Sequence, residues 1–197
     1  MRKIKIMEHI SLDGVMQHSS GPGEAPFPYD NWTTPYRTPA GLEMTLAAYG
    51  ERFDLLLGRR TYDMWTGFWP KAPKSPMADR LNAAKKYVVT HRPETLGEWG
   101  PFEAVGPDIV DSIRGIKAKD GVDLILAGSS TLISVLLEHG LADEVYLAVY
   151  PVLVGTGKRF FAERTPGRAL ALESTKATPS GIVVNTYKVA GPLQNQR

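Results

Sequence analysis

The sequence predicts an α/β fold built on a mostly parallel sheet with an antiparallel edge. Three observations carry this. Short apolar segments that read as buried strands alternate with stretches of helical spacing. Several of these strands stop at a Gly or a hydroxyl residue where the next helix begins. The chain closes on consecutive strands, the last two folding back around Pro179-Ser180-Gly181. At 197 residues, 43% of them hydrophobic, the chain is long enough for one domain with a real core. We expect that domain over residues 1–190 and a tail over 191–197.

Lys3–Ile10 alternates Ile4, Ile6 and His9/Ile10 with polar residues and reads as the first strand. Between Met16 and Ala40, Pro22, Pro26, Pro28, Pro35 and Pro39 with Gly21 and Gly23 exclude a helix or a central strand. Phe27, Tyr29, Trp32 and Tyr36 sit among those prolines, so this is expected to be a folded loop that packs over something. Ala40–Arg52 has Leu42, Leu46 and Tyr49 at helical spacing, and Phe53–Leu57 is a short buried strand ending at Gly58. Thr61–Trp65 begins a helix, Met77–Ala84 is a second, and Lys86–Thr90 is the next strand. Asp108 caps a helix with Ile109, Ile113 and Ile116 on one face and Lys117 and Lys119 at its negative end. Leu124–Ala127 is a buried strand broken at Gly128, and Ser130–His139 an apolar helix stopped by Gly140. Glu144–Tyr150, Leu170–Thr178 and Ile182–Val189 complete the strands.

Composition excludes several classes of function. No apolar run approaches the ~20 residues of a membrane span, and the basic N-terminus lacks the solid apolar stretch of a signal peptide. The absence of cysteine excludes disulfides, thiol catalysis and Cys-ligated zinc, and suits the cytoplasm. A net charge of +2 argues against a broad nucleic-acid footprint, so an anion site must be local.

Three strand ends carry anion-binding chemistry. In Leu57-Gly58-Arg59-Arg60-Thr61 a Gly permits close approach, the helix start offers backbone N–H groups, and Arg supplies a bidentate fork. Two solvated arginines after a strand-ending Gly fit that stretch as well. Ala127-Gly128-Ser129-Ser130-Thr131-Leu132 repeats the junction with three hydroxyls, which serve as caps with or without a ligand. Thr90-His91-Arg92 adds a hydroxyl and a guanidinium after a third strand. Together the three ends point to the phosphates of a dinucleotide.

Ser11-Leu12-Asp13-Gly14-Val15, Leu57-Gly58-Arg59-Arg60-Thr61-Tyr62 and Ala127–Leu132 resemble, in this order, the dihydrofolate reductase superfamily. Gly140-Leu141-Ala142-Asp143-Glu144-Val145 and the stretch Pro151–Phe161 resemble its branch containing the reductase domain of bacterial riboflavin biosynthesis. The resemblance implies a three-layer αβα dihydrofolate-reductase-like fold with NADPH along the strand ends. It implies an NADPH-dependent reductase that moves a hydride to a small planar heterocycle of pterin, folate or pyrimidine ribosylamine type. The alternative is a non-catalytic NADP-binding protein of the same fold. By position, Arg59 contacts the 2′-phosphate, helped by Arg60 or Arg92, while Thr61 and its helix start hold the pyrophosphate. Gly128, Ser129, Ser130, Thr131 and Leu132, following Ala127, support the pyrophosphate from the other side, and Thr90 and His91 border the adenosine. Asp13, Gly14 and Val15 lie at the nicotinamide end, and the Pro-rich loop, with Asp30, Trp32 and Tyr36 as substrate contacts, is a lid. Asp13, or Glu43 where it faces the pocket, is the candidate proton-handling group.

The chain departs from the superfamily pattern at Ser129, where dihydrofolate reductases carry a second glycine. Without cysteine it cannot carry the zinc deaminase that accompanies the riboflavin reductase domain. Gly155-Thr156-Gly157-Lys158 is no P-loop, because Val152 replaces the first Gly and Arg159 the hydroxyl. Gly128-Ser129-Ser130 lacks the flanking glycines of a nucleophile elbow. His9, His18, His91 and His139 form no metal-binding pair at helical spacing, and Trp65, Phe68 and Trp69 fit the core as readily as a pocket. The long apolar run Val145–Val154 reads as a central strand. The branch resemblance also implies a homodimer, with the closing hairpin extending towards a partner's sheet edge.

Overall fold

The computed structural model describes residues 1–21, 24–161, 165 and 167–194. Among them an eight-stranded sheet has the order β4-β3-β2-β5-β1-β6-β8-β7. Its strands are β1 (Ile4–Ser11), β2 (Asp54–Gly58), β3 (Lys86–Val89), β4 (Phe102–Val105), β5 (Leu124–Leu126), β6 (Glu144–Tyr150), β7 (Arg168–Ala177) and β8 (Val183–Pro192). The strands from β4 to β6 pair in parallel. Only β8 runs against its neighbours β6 and β7, which is the antiparallel edge expected from the closing hairpin.

Among the described residues five α-helices make the two outer layers: α1 (Pro39–Tyr49), α2 (Arg59–Phe68), α3 (Pro76–Ala83), α4 (Ile109–Ala118) and α5 (Ser130–Glu138). Alternation along β1 sends Ile4, Ile6 and Ile10 to one face, where they meet Ile113 and Ile116 of α4 and Leu132, Ile133 and Leu136 of α5. Met7 points to the other face, with Tyr49 of α1, Tyr62 of α2 and Leu81 of α3. The central strands are covered on both sides, which explains why β2 and β5 are apolar throughout their buried parts.

Several boundaries move for local reasons. Helix α1 stops at Tyr49, three residues before the expected end, because Gly50 takes φ +79°. Its Leu42, expected on the buried face, is exposed, and Tyr49 is its buried residue. Helix α2 starts at Arg59, so both arginines lie in its first turn. Strand β4 has no counterpart in the sequence reading: it is a four-residue edge strand, mostly exposed and without apolar alternation. Strand β8 runs on to Pro192, two residues into the expected tail, while residues 195–197 lie outside the described residues. No helix among the described residues is long and apolar enough to cross a membrane.

Charges taken inside the sheet are partnered. Arg2 donates to the Val122 carbonyl and pairs with Asp54. Lys117 pairs with Asp143, whose carboxylate also accepts the Ile4 N–H. Lys86, wholly buried, donates to the Asn82 carbonyl and lies over the Trp99 ring, and burial pulls its ammonium down to about 8.

Candidate active site

Strands β2 and β5 are neighbours, yet the chain leaves β2 for α2 on one face and β5 for α5 on the other. Such a divergence opens a crevice beyond the carboxyl ends of the two strands. Here the two turns approach each other closely. A Cβ on Gly58 would lie 2.7 Å from the Ser129 hydroxyl, and one on Gly128 would lie 2.6 Å from the Thr61 hydroxyl. Gly128 takes φ +74° and Ser129 φ +63°, so the turn into α5 is left-handed over consecutive residues.

The two helix starts differ. Ser129 caps α5, its hydroxyl accepting the Leu132 N–H at 3.3 Å. No side chain caps α2, whose start at the end of β2 carries the partial positive charge of a helix N-terminus. This uncapped turn, lined by Gly58, Thr61 and Gly128, is chemically suited to a phosphate oxygen.

The basic residues around it have distinct surroundings. Arg59 donates from Nε to both Asp63 oxygens (2.9 and 2.8 Å), from one terminal nitrogen to the Arg92 carbonyl and the Thr95 hydroxyl, and from the other to the Thr95 carbonyl. Most of its donors therefore hold the Pro93–Thr95 turn against α2. Arg60 is 78% exposed and reaches Glu24 of the long loop at 3.1 Å. His91 and Arg92 are exposed at the end of β3, where the Thr90 hydroxyl accepts the Arg92 N–H.

At the exit of β1, Asp13 acts as a clasp. Its carboxylate accepts the Ser11 hydroxyl at 2.6 Å and the N–H groups of Val154 and Gly155, and it lies 3.7 Å from Arg159. The Ser11 hydroxyl and these N–H groups hold the Asp13 carboxyl down at about 2. These bonds fix the turn through Gly14 and Val15 to the segment after β6. Val15 is buried there with Phe27 and Val154. The Gly155–Lys158 stretch contains no helix and joins this clasp, its Lys158 N–H donated to the Gln17 side chain.

The loop between β1 and α1 is folded, as its aromatics predict. Phe27 is buried, Trp32 donates its indole N–H to the Gln17 carbonyl at 2.7 Å, and Asn31 donates to the His18 carbonyl. Pro22 and Gly23 lie outside the described residues. Of the loop's candidate contacts, Trp32 and Tyr36 turn inward onto Tyr150, whereas Asp30 is exposed. Glu43 is also exposed, on a groove between α1 and strands β6 to β8 that Tyr146, Ser174 and Lys176 share. Trp65 and Trp69 pack against the core, and Phe68 stays exposed.

Two polar groups here, Glu8 and Glu24, have no role in the sequence analysis, and a third, His9, is weighed there only as a metal ligand. Glu8, facing the α4–α5 side by alternation, accepts the Gly128 N–H, and burial pushes its carboxyl up to about 8. His9 bonds the Tyr150 hydroxyl at 2.9 Å. Glu24 pairs with both Arg60 and Lys158. The available signal was a Glu and a His side by side in the middle of a mostly buried central strand.

Comparison with known proteins gives this geometry relatives. The family model of the RibD C-terminal domain matches residues 2–184. The uncharacterised protein YyaP of Bacillus subtilis strain 168 is 28% identical over 137 residues, covering 68% of this chain and 72% of YyaP. Among solved structures, a protein from Shewanella sp. PV-4 described as a riboflavin biosynthesis protein superposes with a TM-score of 0.70 at 22% identity, covering 96% of this chain and 99% of its own. Dihydrofolate reductase from Enterococcus faecalis, solved with NADP(H) and RAB-propyl, gives 0.61 at 16% identity over 95% and 96% of the two chains. A pyrimidine reductase-like protein from Corynebacterium diphtheriae gives 0.57 at 13% identity, over 95% and 92%.

Proposed function

The chain belongs to the RibD C-terminal domain family, and from that premise we propose that it is an NADPH-dependent reductase acting on a small planar heterocycle. The fold is of reductase type and shared with dihydrofolate reductase. The observation that carries the proposal is the close approach of the Gly58 and Gly128 turns, where the uncapped start of α2 meets the left-handed turn into α5. Its residues fit a dinucleotide. Backbone N–H groups of α2 and the Thr61 hydroxyl suit the pyrophosphate, and Ser129, Ser130 and Thr131 border it from α5. Arg60, with Arg92 and His91, suits the 2′-phosphate, because these side chains are exposed while Arg59 is largely committed to the Pro93–Thr95 turn.

When bound, the cofactor supplies the hydride. The chain's own contribution is placement. Asp13 fixes the Gly14–Val15 turn at the end of β1, and the loop carrying Trp32 and Tyr36 covers the adjoining sheet face and keeps water from it. The cysteine-free composition agrees with a cytoplasmic enzyme. The ten-residue outer strand β7 supports a homodimer, since an exposed edge of that length is normally covered.

The test is to screen pterins, folates and pyrimidine ribosylamines for substrate-dependent loss of NADPH absorbance, with NADPH affinity measured separately. Turnover on any of these classes supports the reductase. Tight NADPH binding with no turnover on any of them favours a non-catalytic NADP-binding protein, and no binding overturns both readings.

A further inference from the structure

We infer that His9 and Tyr150 form a hydrogen-bonding pair that receives the polar edge of the substrate ring and selects a neutral ring over a cationic one. This rests on the reductase reading above and deepens it by assigning the group that meets the substrate.

Both residues lie at the carboxyl ends of neighbouring central strands. The register sets His9 opposite Ala148 and Ser11 opposite Tyr150, so both side chains project to the α1–α3 face. There His9 Nδ1 and the Tyr150 hydroxyl are 2.9 Å apart. The turn fixed by Asp13 follows directly on β1, and β5, which leads into the crevice, pairs with β1 on its other side.

Rings surround the pair. His18 meets His9 edge-on at 6.1 Å, and Trp32 stacks on His18 at 5.2 Å with planes 7° apart. Trp32 and Tyr36 approach Tyr150 edge-on at 5.2 and 5.9 Å. Except for His9 and Tyr150 these rings belong to the β1–α1 loop, which places flat aromatic groups beside the pair.

Within this cluster burial disfavours the charged forms. Burial drives the His9 imidazole down to about 3 and His18 to about 4, and lifts the Tyr150 phenol to about 12. The charged group acting on them is the exposed Arg37, and Tyr146 neighbours Tyr150 on β6. Among the described residues, no carboxylate is hydrogen-bonded to His9, His18 or Tyr150. A cationic amidine-type ring finds no counter-ion here, whereas a neutral ring with an acceptor atom finds a donor.

The hydrogen-bond inventory makes the donor certain in either tautomer. When the Tyr150 hydroxyl donates to Nδ1, His9 Nε2 carries a hydrogen. When Nδ1 donates to the phenol oxygen, the phenol hydrogen is free to turn towards a ligand. Nε2 has no protein partner among the described residues, which leaves the second end of the imidazole for a ligand atom.

The experiment titrates pterin, a neutral flat heterocycle, into the NADP⁺-saturated full chain. It is followed by tryptophan fluorescence and by long-range imidazole ¹⁵N NMR spectra, for the native protein and for Tyr150→Phe and His9→Gln. Tyr150→Phe removes only the hydroxyl and keeps the ring contacts with Trp32 and Tyr36, and thermal melts check both folds. The expected result is pterin binding that shifts the His9 resonances and weakens about tenfold in each variant, with NADPH affinity within about twofold of native. A cationic 2,4-diaminopyrimidine is expected to bind no more tightly than pterin. Equal pterin affinity in all three proteins, tighter binding of the cation, or no pterin binding overturns the inference. Loss of NADPH binding in the native protein overturns the reductase reading instead, so the two failures are told apart.

Discussion

Glu8 places a carboxyl in the interior beside the backbone of Gly128, and desolvation raises it from 4.5 to about 8. Because the folded value lies above the unfolded one, the native state holds the proton more tightly. Its contribution to stability is complete below pH 4.5 and is lost as pH rises through about 8. Glu8→Gln keeps an oxygen for the Gly128 N–H and removes the ionisation. Denaturation across this range should therefore show the native protein losing stability relative to Glu8→Gln, by a few kcal/mol on the order of the pKa change. A difference independent of pH would show that the carboxyl is not desolvated. The arginines give a second prediction. Arg60→Ala should weaken NADPH about tenfold and leave NADH nearly unchanged, as loss of one charge-assisted contact would. Arg59→Ala removes the tie between α2 and the Pro93–Thr95 turn, so it should weaken both nucleotides and lower the melting temperature. Calorimetric titration of the two nucleotides into both variants checks this, and the reverse pattern would return the 2′-phosphate to Arg59.

At the scale of elements, the site depends on how closely two strand–helix junctions approach. Gly128→Ala places a Cβ at φ +74° and 2.6 Å from the Thr61 hydroxyl, so both the backbone and the neighbouring helix must give way. A cost of about 1–3 kcal/mol in stability follows from the conformational strain alone. Nucleotide affinity should fall further than stability, because α2 is displaced from the crevice. At Gly58 the backbone is ordinary (φ −72°), but a new Cβ would lie 2.7 and 2.8 Å from Ser129 Oγ and Cβ, so the two junctions are forced apart there too. Gly58→Ala should therefore also lower nucleotide affinity while sparing the stability cost of a left-handed residue. Equal effects of the two on stability would mean that left-handed backbone at Gly128 is not a requirement of the junction.

For the molecule as a whole, the sheet ends on β7, ten residues long with most of its length exposed. Leu172 projects from it 57% exposed. An edge of this kind invites a second strand. Light scattering at micromolar concentration should give twice the 21.6 kDa chain mass, and Leu172→Asp should shift the equilibrium towards the single chain. A mass of one chain at all concentrations would leave β7 as a solvated edge.

The layered α/β architecture and the order of its motifs can be read from local patterns along the chain. Alternation along β1, the apolar runs of β2, β5 and β6, and the glycines closing β2 and β5 are local properties that survive without tertiary context. The Pro-rich loop was legible as folded because four aromatics among prolines have no use in a free linker. Strand β4 was not legible, because a short exposed edge strand is made by pairing with β3 and has no pattern of its own. Only the tertiary structure decided what each charged or polar side chain does. Arg59 and Arg60 are adjacent and identical in sequence, yet one is tied to a turn and the other, exposed, reaches Glu24 of the long loop. Asp13 became a clasp because the segment after β6 brings two backbone N–H groups to it from 141 and 142 residues away. His9 and Tyr150 are likewise 141 positions apart and meet only through the pairing of β1 with β6. Strand and helix periodicity is written in neighbours along the chain, whereas the hydrogen bonds and burial that set a functional group's charge come from residues far away in sequence.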